Sequence, residues 1–321
     1  LGVAAMMLIE QGLIQPSDPV SKWIPEFAEM QVAVLRDPVD EDISPPFVLP
    51  TNVPEHRLVP AEREITVHDI LTHTSGIASG GLGNAISEDA IMWLDTRTSL
   101  ATNVPKYGDI VLDFQPGDRW RYSAATALDV IARIIEIESG LSFNEFVQQR
   151  IFEPLGMNDT WWNVPEEYQD RLIDIVDSDT ATPPNSAIYD TSHSTYFGAS
   201  YGLKSTAGDY LRFEQMLVNG GELFGNRLLK PQTVELMSSN QVGDLFNAMP
   251  GVSDQGFGYT VATTEESNER RSKGAFGWGG ALGTRSWSDP AQELTGVIMI
   301  QQPVPQVQRD FENAVHQAIL D

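Results

Sequence analysis

The chain contains no cysteine. Disulfides, thiolate-ligated zinc and thiol nucleophiles are thereby excluded. Positive charge is scarce too: 20 Lys and Arg stand against 45 Asp and Glu, a formal net charge of −25. Only 5 of the basic residues are lysine. Such a chain repels nucleic acid and anionic membrane surfaces, and neither is expected as a partner. No apolar run approaches the roughly 18 residues of a membrane helix. No His-Glu-x-x-His pattern is present, and no Gly-rich loop leads into Lys-Ser or Lys-Thr. A metal, a phosphate-bearing cofactor or any other cofactor is not implied. No signal peptide is visible, which leaves the compartment open with the cytoplasm slightly favoured.

Local signals then divide the chain. Leu1 to Gly12 reads as the body of a buried helix closed by a glycine, with its first turn upstream of Leu1. Asp18-Pro19 predicts the start of a short helix ended by Pro25. Met30 to Leu35 reads as a strand, and Arg36 to Arg63 as a long surface excursion. Thr66 caps a short helix that runs into His73-Thr74-Ser75-Gly76. A Gly-rich loop, Gly80 to Gly83, follows, then a helix over Ser87 to Leu100. Tyr122 stands at the entrance of an apolar helix, Leu128 to Ile137, closed by Gly140. Ser142 and Glu145 form a capping box for Phe143 to Ile151. Thr206 caps Ala207 to Val218, and Pro231 opens another helix. Phe257 to Thr263, Gly283 to Ser288 and Leu294 to Gln301 are strand-like, and Val307 to Leu320 is an amphipathic helix. The pattern predicts an α+β or mixed α/β fold: an antiparallel sheet flanked by helices, plus a mainly helical region. The expected division places 1–12 and 241–321 in the sheet domain, and 13–240 in the helical region.

Three patterns carry chemistry. A tyrosine has a reference pKa near 10, so Tyr122 needs a helix N-terminus or a cation to act as a base. Alone, it reads as a hydrogen-bonded plug at the helix end. Trp278-Gly279-Gly280-Ala281 lies where glycines let backbone N–H groups face an oxyanion. Alone, that is a tight hairpin. His73 is a catalytic candidate that reads better as a satisfied turn residue. A decoy also exists: Gly198-Ala199-Ser200-Tyr201-Gly202 matches the nucleophile elbow, with Asp289 and His316 downstream. A polar run precedes Ser200 and no helix follows it directly, so the elbow lacks its context.

In order along the whole chain, these segments resemble the serine β-lactamase and penicillin-binding-protein-like family, closest to its class C-like branch and the family VIII carboxylesterases. The segments are the opening helix, Asp18-Pro19-Val20, Leu71 to Gly76, Tyr122-Ser123, Pro154-Leu155-Gly156-Met157, Ser205 to Tyr210 and Gly277 to Thr284. The resemblance implies acyl transfer by a Ser-x-x-Lys serine, with Tyr122 managing the proton. It places Trp278, Gly279 and Gly280 in the third motif and the Ala281 N–H as oxyanion donor. The substrate implied is a small-molecule ester or amide; the oligomeric state is left open. None of the five lysines follows a serine by three: the residues there are Pro19, Asn103, Tyr201, Arg227 and Arg270. The nucleophile segment and the family's first strands are therefore expected outside this chain. The alternatives are a non-catalytic binder on the same fold and a β-lactamase or D-Ala-D-Ala peptidase-like hydrolase. Ala124 stands where the family's second motif usually has Asn, and Trp278 where the third motif begins with Lys. Both changes favour short uncharged esters over β-lactams.

Overall fold

The computed structural model describes residues 1–36, 53–87, 98–123, 126–173 and 194–319. It is a mixed α/β architecture of helices and antiparallel sheets. Two compact units divide it: residues 1–146 with 194–202, and residues 147–193 with 203–321.

In the first unit, the helix Gly2–Glu10 is buried along almost its whole length, from Gly2 to Leu8. A helix apolar on every side belongs in a core, not at a surface. Gly12 follows with φ +73°, the left-handed turn that ends it. The helix Ala127–Ser139 buries Val130, Ile131, Ile134 and Ile135 and closes at Gly140, φ +71°. It packs against Gly2–Glu10, Val67–Leu71, Leu100–Asn103 and the turn Val104–Asp109, so it is the hub of the unit. Each fully buried aliphatic side chain there stabilises the fold by about 1.5–3 kcal/mol.

Asp18 and Pro19 do not open a helix as expected. Pro19 precedes a single 3-10 turn, Val20–Lys22, and Pro25 opens a second, Pro25–Phe27. The Asp18 carboxylate is occupied by the Gln15 N–H at 2.9 Å and by Lys22 at 2.8 Å. A short polar side chain satisfied locally in this way competes with helix capping. Strand β1, Gln31–Leu35, pairs antiparallel with β2, His56–Pro60. The excursion after Arg36 thus returns as a strand, while 37–52 lie outside the described residues. Most of the helix expected over Ser87 to Leu100 lies outside them too. The described flanks hold two short helices, Leu82–Ile86 and Leu100–Asn103. The first occupies part of the expected Gly-rich loop. Gly83 makes it possible, because a Cβ there would overlap the backbone of Val111 and Leu112.

The caps read from sequence are present. Thr66 and Asp69 form a capping box on Val67–Leu71. Ser142 Oγ accepts the Glu145 N–H at 3.2 Å, and Glu145 returns the bond to the Ser142 N–H at 2.9 Å. The following helix is interrupted: Phe143–Val147 passes into a π turn, Gln148–Phe152.

The second unit is built on a five-stranded antiparallel sheet in sequential order. Its strands are β5 (Gln255–Phe257), β6 (Ala262–Thr264), β7 (Phe276–Gly279), β8 (Arg285–Asp289) and β9 (Leu294–Ile298), with β3 (Glu222–Leu223) and β4 (Asn226–Arg227) forming a separate small hairpin. The single strand expected over Phe257 to Thr263 is really a hairpin, turned at Thr260 with φ +69°. Helix Ala207–Val218 packs on β8 and β9, and the terminal helix Pro305–Gln317 packs on β9. The buried Glu312 of that terminal helix ties it to the sheet. It meets Arg271 and Arg285, both at 2.9 Å, and Arg270 at 3.5 Å.

Candidate active site

Tyr122 sits in a segment that is neither helix nor strand, half-buried, four residues before the N-cap Thr126. It therefore stands just ahead of the helix, as the apolar run from Leu128 implied, and not within its first turn. The helix begins at Ala127, whose N–H is taken by Ser123 Oγ at 3.3 Å. Residues 124 and 125, including Ala124 of the second motif, lie outside the described residues.

The Tyr122 segment is held by His73-Thr74-Ser75-Gly76. The Asp113 N–H donates to Gly76 O at 2.9 Å, Gly117 to Thr74 O at 2.8 Å and Arg121 to His73 O at 3.0 Å. Gly76, φ +78°, is required there, since a Cβ would press on the Phe114 carbonyl. Next to these bonds, Arg63 forks onto the buried carboxylate of Asp69 at 2.6 and 2.8 Å. Burial pushes the Asp69 carboxyl up, but the Arg63 fork and the Thr66 donors outweigh it and hold the group below its ordinary range. The imidazole of His73 is itself buried. Its ring meets Tyr122 edge-on at 4.7 Å and Trp120 at 5.9 Å. Burial pushes the His73 pKa down to about 3, so the ring is neutral near pH 7.

The third-motif residues lie in the second unit, at the end of β7 and in its turn. β7 pairs with β8 from Phe276↔Ser288 to Gly279↔Arg285. Gly277 must lack a side chain, because a Cβ would overlap Ser286 O. The turn closes through Gly280 N–H to Thr284 O at 2.8 Å and Gly283 N–H to Gly280 O at 3.0 Å. Trp278 is half-buried and meets Phe257 edge-on at 5.3 Å. Gly279, Gly280 and Ala281 are exposed.

Ser200 has a different employment from the elbow serine. It lies on an irregular segment of the first unit, and its hydroxyl donates to Asp129 Oδ1 at 3.3 Å. Asp129, in the first turn of Ala127–Ser139, also accepts the Ala199 N–H at 2.6 Å and the Ser200 N–H at 3.1 Å. Tyr196 donates its hydroxyl to the same carboxylate and lies 3.1 Å from the Tyr107 hydroxyl. Burial pushes the Asp129 pKa up to about 6 against these donors. The elbow's other candidates are separately accounted for. Asp289 accepts the Ser272 N–H at 2.8 Å, and His316 is exposed on the terminal helix. Changing Ser200 to Ala is expected to leave ester turnover by the full-length protein within about threefold of wild type, because the lost bond to the Asp129 carboxylate is long, at 3.3 Å, and the Tyr196 hydroxyl and the Ala199 and Ser200 N–H groups still donate to that carboxylate. A fall of 100-fold or more in kcat would restore the elbow. Among the described residues no group of three His, Asp or Glu is placed to hold a metal ion.

The Asp129 cluster was not legible in the sequence. The available signal was an aspartate at a position of the apolar helix facing the core. Without knowing what crosses that position, it reads as a first-turn charge.

The family model described as Beta-lactamase matches residues 1–320. This chain belongs to the Beta-lactamase family. Its fold is the beta-lactamase and penicillin-binding-protein fold, and the family comprises serine hydrolases and acyltransferases. Protein Rv1367c of Mycobacterium tuberculosis is 31% identical over 93% of this chain and 74% of that protein. Lovastatin esterase of Penicillium rubens is 26% identical over 94% of this chain and 77% of its own length. Among solved structures, simvastatin synthase (LovD) from Aspergillus terreus superposes with a TM-score of 0.76 at 21% identity, covering 100% of this chain and 82% of that one. No helix among the described residues of this beta-lactamase family member is long and apolar enough to cross a membrane.

Proposed function

We propose that this Beta-lactamase family member is a serine carboxylesterase acting by acyl transfer on short, uncharged esters, with its Ser-x-x-Lys supplied from outside residues 1–321. In the reaction, the serine hydroxyl adds to the ester carbonyl carbon. Its proton passes through the lysine and Tyr122 to the departing oxygen, and the alcohol leaves. Water then adds to the acyl-enzyme, its proton returns by the same groups, and the carboxylic acid departs with the serine restored. The Ala281 N–H is the oxyanion donor in this reading, aided by the glycines before it.

The observation that carries the reading is Trp278. In the place of the lysine that opens the family's third motif it offers an indole, edge-on to Phe257, and no positive charge. An apolar face suits an acyl chain; a substrate carboxylate would find no cation there. A relative named as an esterase adds support.

Full-length protein is expected to hydrolyse p-nitrophenyl butyrate with a kcat/KM at least about 100-fold above that for nitrocefin, a gap of about 3 kcal/mol. Comparable values for the two would overturn the ester preference. Fluorophosphonate labelling of the full-length protein tests the class of chemistry: the label should sit on a serine of a Ser-x-x-Lys upstream of Leu1. Absence of labelling and of turnover would favour a non-catalytic binder, a reading supported by the lack of any Ser-x-x-Lys within the 321 residues.

A further inference from the structure

His73 occupies a position that the backbone would assign to glycine. The helix Val67–Leu71 ends at Thr72, and the next two N–H groups fold back on it. His73 donates to Ile70 O at 3.3 Å and Thr74 to Asp69 O at 2.9 Å. That pair of bonds is the Schellman ending, whose left-handed residue is usually glycine. Here the residue is His73, at φ +59°. A side chain with a Cβ costs about 1 kcal/mol in that conformation. A histidine in that place calls for something the imidazole does.

The imidazole and its own carbonyl together hold the chain on both sides of Tyr122. His73 O accepts the N–H of Arg121, and His73 Nδ1 accepts the N–H of Ser123 at 3.4 Å. The ring edge then lies against Tyr122 and Trp120. An accepting Nδ1 requires the proton on Nε2, and burial keeps the ring neutral so that this lone pair remains available.

We propose that His73 is a positioning residue for Tyr122: its backbone carbonyl and Nδ1 grip the residues before and after the tyrosine, and its ring edge fixes the phenol's orientation. The proposal rests on the catalytic reading of Tyr122. It adds that the left-handed turn after the Thr66-capped helix exists to aim the imidazole at that segment.

The test uses full-length protein with p-nitrophenyl butyrate and four variants. Glycine accepts the backbone conformation but removes the acceptor and ring. Asparagine tolerates the left-handed region and offers Oδ1 near the place of Nδ1. His73→Gly is expected to lower kcat by roughly 30-fold while KM stays within about threefold, the signature of misplacement felt in the transition state. His73→Asn is expected to recover kcat to within about fivefold of wild type. In a Tyr122→Phe background, His73→Gly should add less than about threefold, because the two act through one step. A His73→Gly enzyme with wild-type kcat, beside an inactive Tyr122→Phe enzyme, overturns the positioning role alone. A His73→Gly loss that multiplies fully with that of Tyr122→Phe also overturns it. An active Tyr122→Phe enzyme, or a wild type without turnover, overturns the catalytic reading and the proposal with it.

Discussion

Replacing Tyr122 by phenylalanine is expected to lower kcat for a short ester by about 10³-fold, with little change in KM. Proton transfer by a positioned side chain contributes about 10²–10⁴-fold, and 10³-fold corresponds to about 4 kcal/mol of transition-state stabilisation. Phenylalanine keeps the ring that meets His73 edge-on at 4.7 Å. It also leaves the Arg121 and Ser123 bonds to His73 in place, since both come from the backbone. What disappears is the hydroxyl alone. Thermal melting should therefore shift little, and the loss should fall on turnover. Steady-state kinetics on the full-length protein decides the matter. A loss smaller than tenfold would return Tyr122 to the role of a packed aromatic at the mouth of the helix.

The second large effect concerns acid stability. His73 has a pKa of about 3 in the fold against an ordinary 6.5. Between those values the unfolded chain binds a proton that the folded chain refuses, so stability falls as pH is lowered through this window. The contribution is fully present above about pH 6.5, declines by about 1.4 kcal/mol per pH unit below it, and amounts to roughly 5 kcal/mol lost by pH 3. Asp129 acts in the opposite sense. Its pKa is about 6 in the fold against an ordinary 3.8. In that interval the folded chain keeps a proton that the unfolded chain releases, so this group's contribution weakens as pH rises from about 4 to 6. The two slopes oppose each other over the same range. Urea unfolding at pH 4, 5, 6 and 7 is expected to separate them. Relative to wild type, His73→Asn should lose its acid sensitivity by an amount that grows toward pH 4. Asp129→Asn should instead steepen the acid loss. Variant and wild-type curves that run parallel from pH 7 to 4 would show that neither buried group titrates as described.

Legibility of the fold followed the range of the interactions. The Thr66, Ser142 and Thr206 caps close between residues three apart, as Glu145 N–H to Ser142 Oγ does. Such bonds can be read from a short window of residues. Failures occurred where local signals compete. Asp18 spent its carboxylate on Gln15 and Lys22, so Pro19 heads a 3-10 turn and not a helix. Thr260 and its neighbours turned one expected strand into β5 and β6. Within the site, the order of the motifs made the family recognisable and singled out Tyr122 and the Trp278 to Ala281 turn. The onset of the helix after Tyr122 was legible to within a residue, since the apolar run from Leu128 marks a helix that starts at Ala127. Ser123 Oγ reaches forward to Ala127, and Thr126 is the N-cap.

By itself, the sequence determined the family, the antiparallel character of the final third, the caps, and the absence of thiol chemistry. All of these rest on residue type and near-neighbour spacing. Tertiary structure alone decided what His73, Asp129 and Ser200 do. His73 meets Ser123 across 50 residues, and Asp129 meets Ser200 across 71. A histidine in a Thr-His-Thr-Ser turn looks the same whether its Nδ1 faces water or a backbone N–H. A serine flanked by glycines looks the same whether it is a nucleophile or a donor to a buried carboxylate. Only the folding of distant segments onto one another supplies the burial that shifts the pKa and the partner that sets the tautomer and the role.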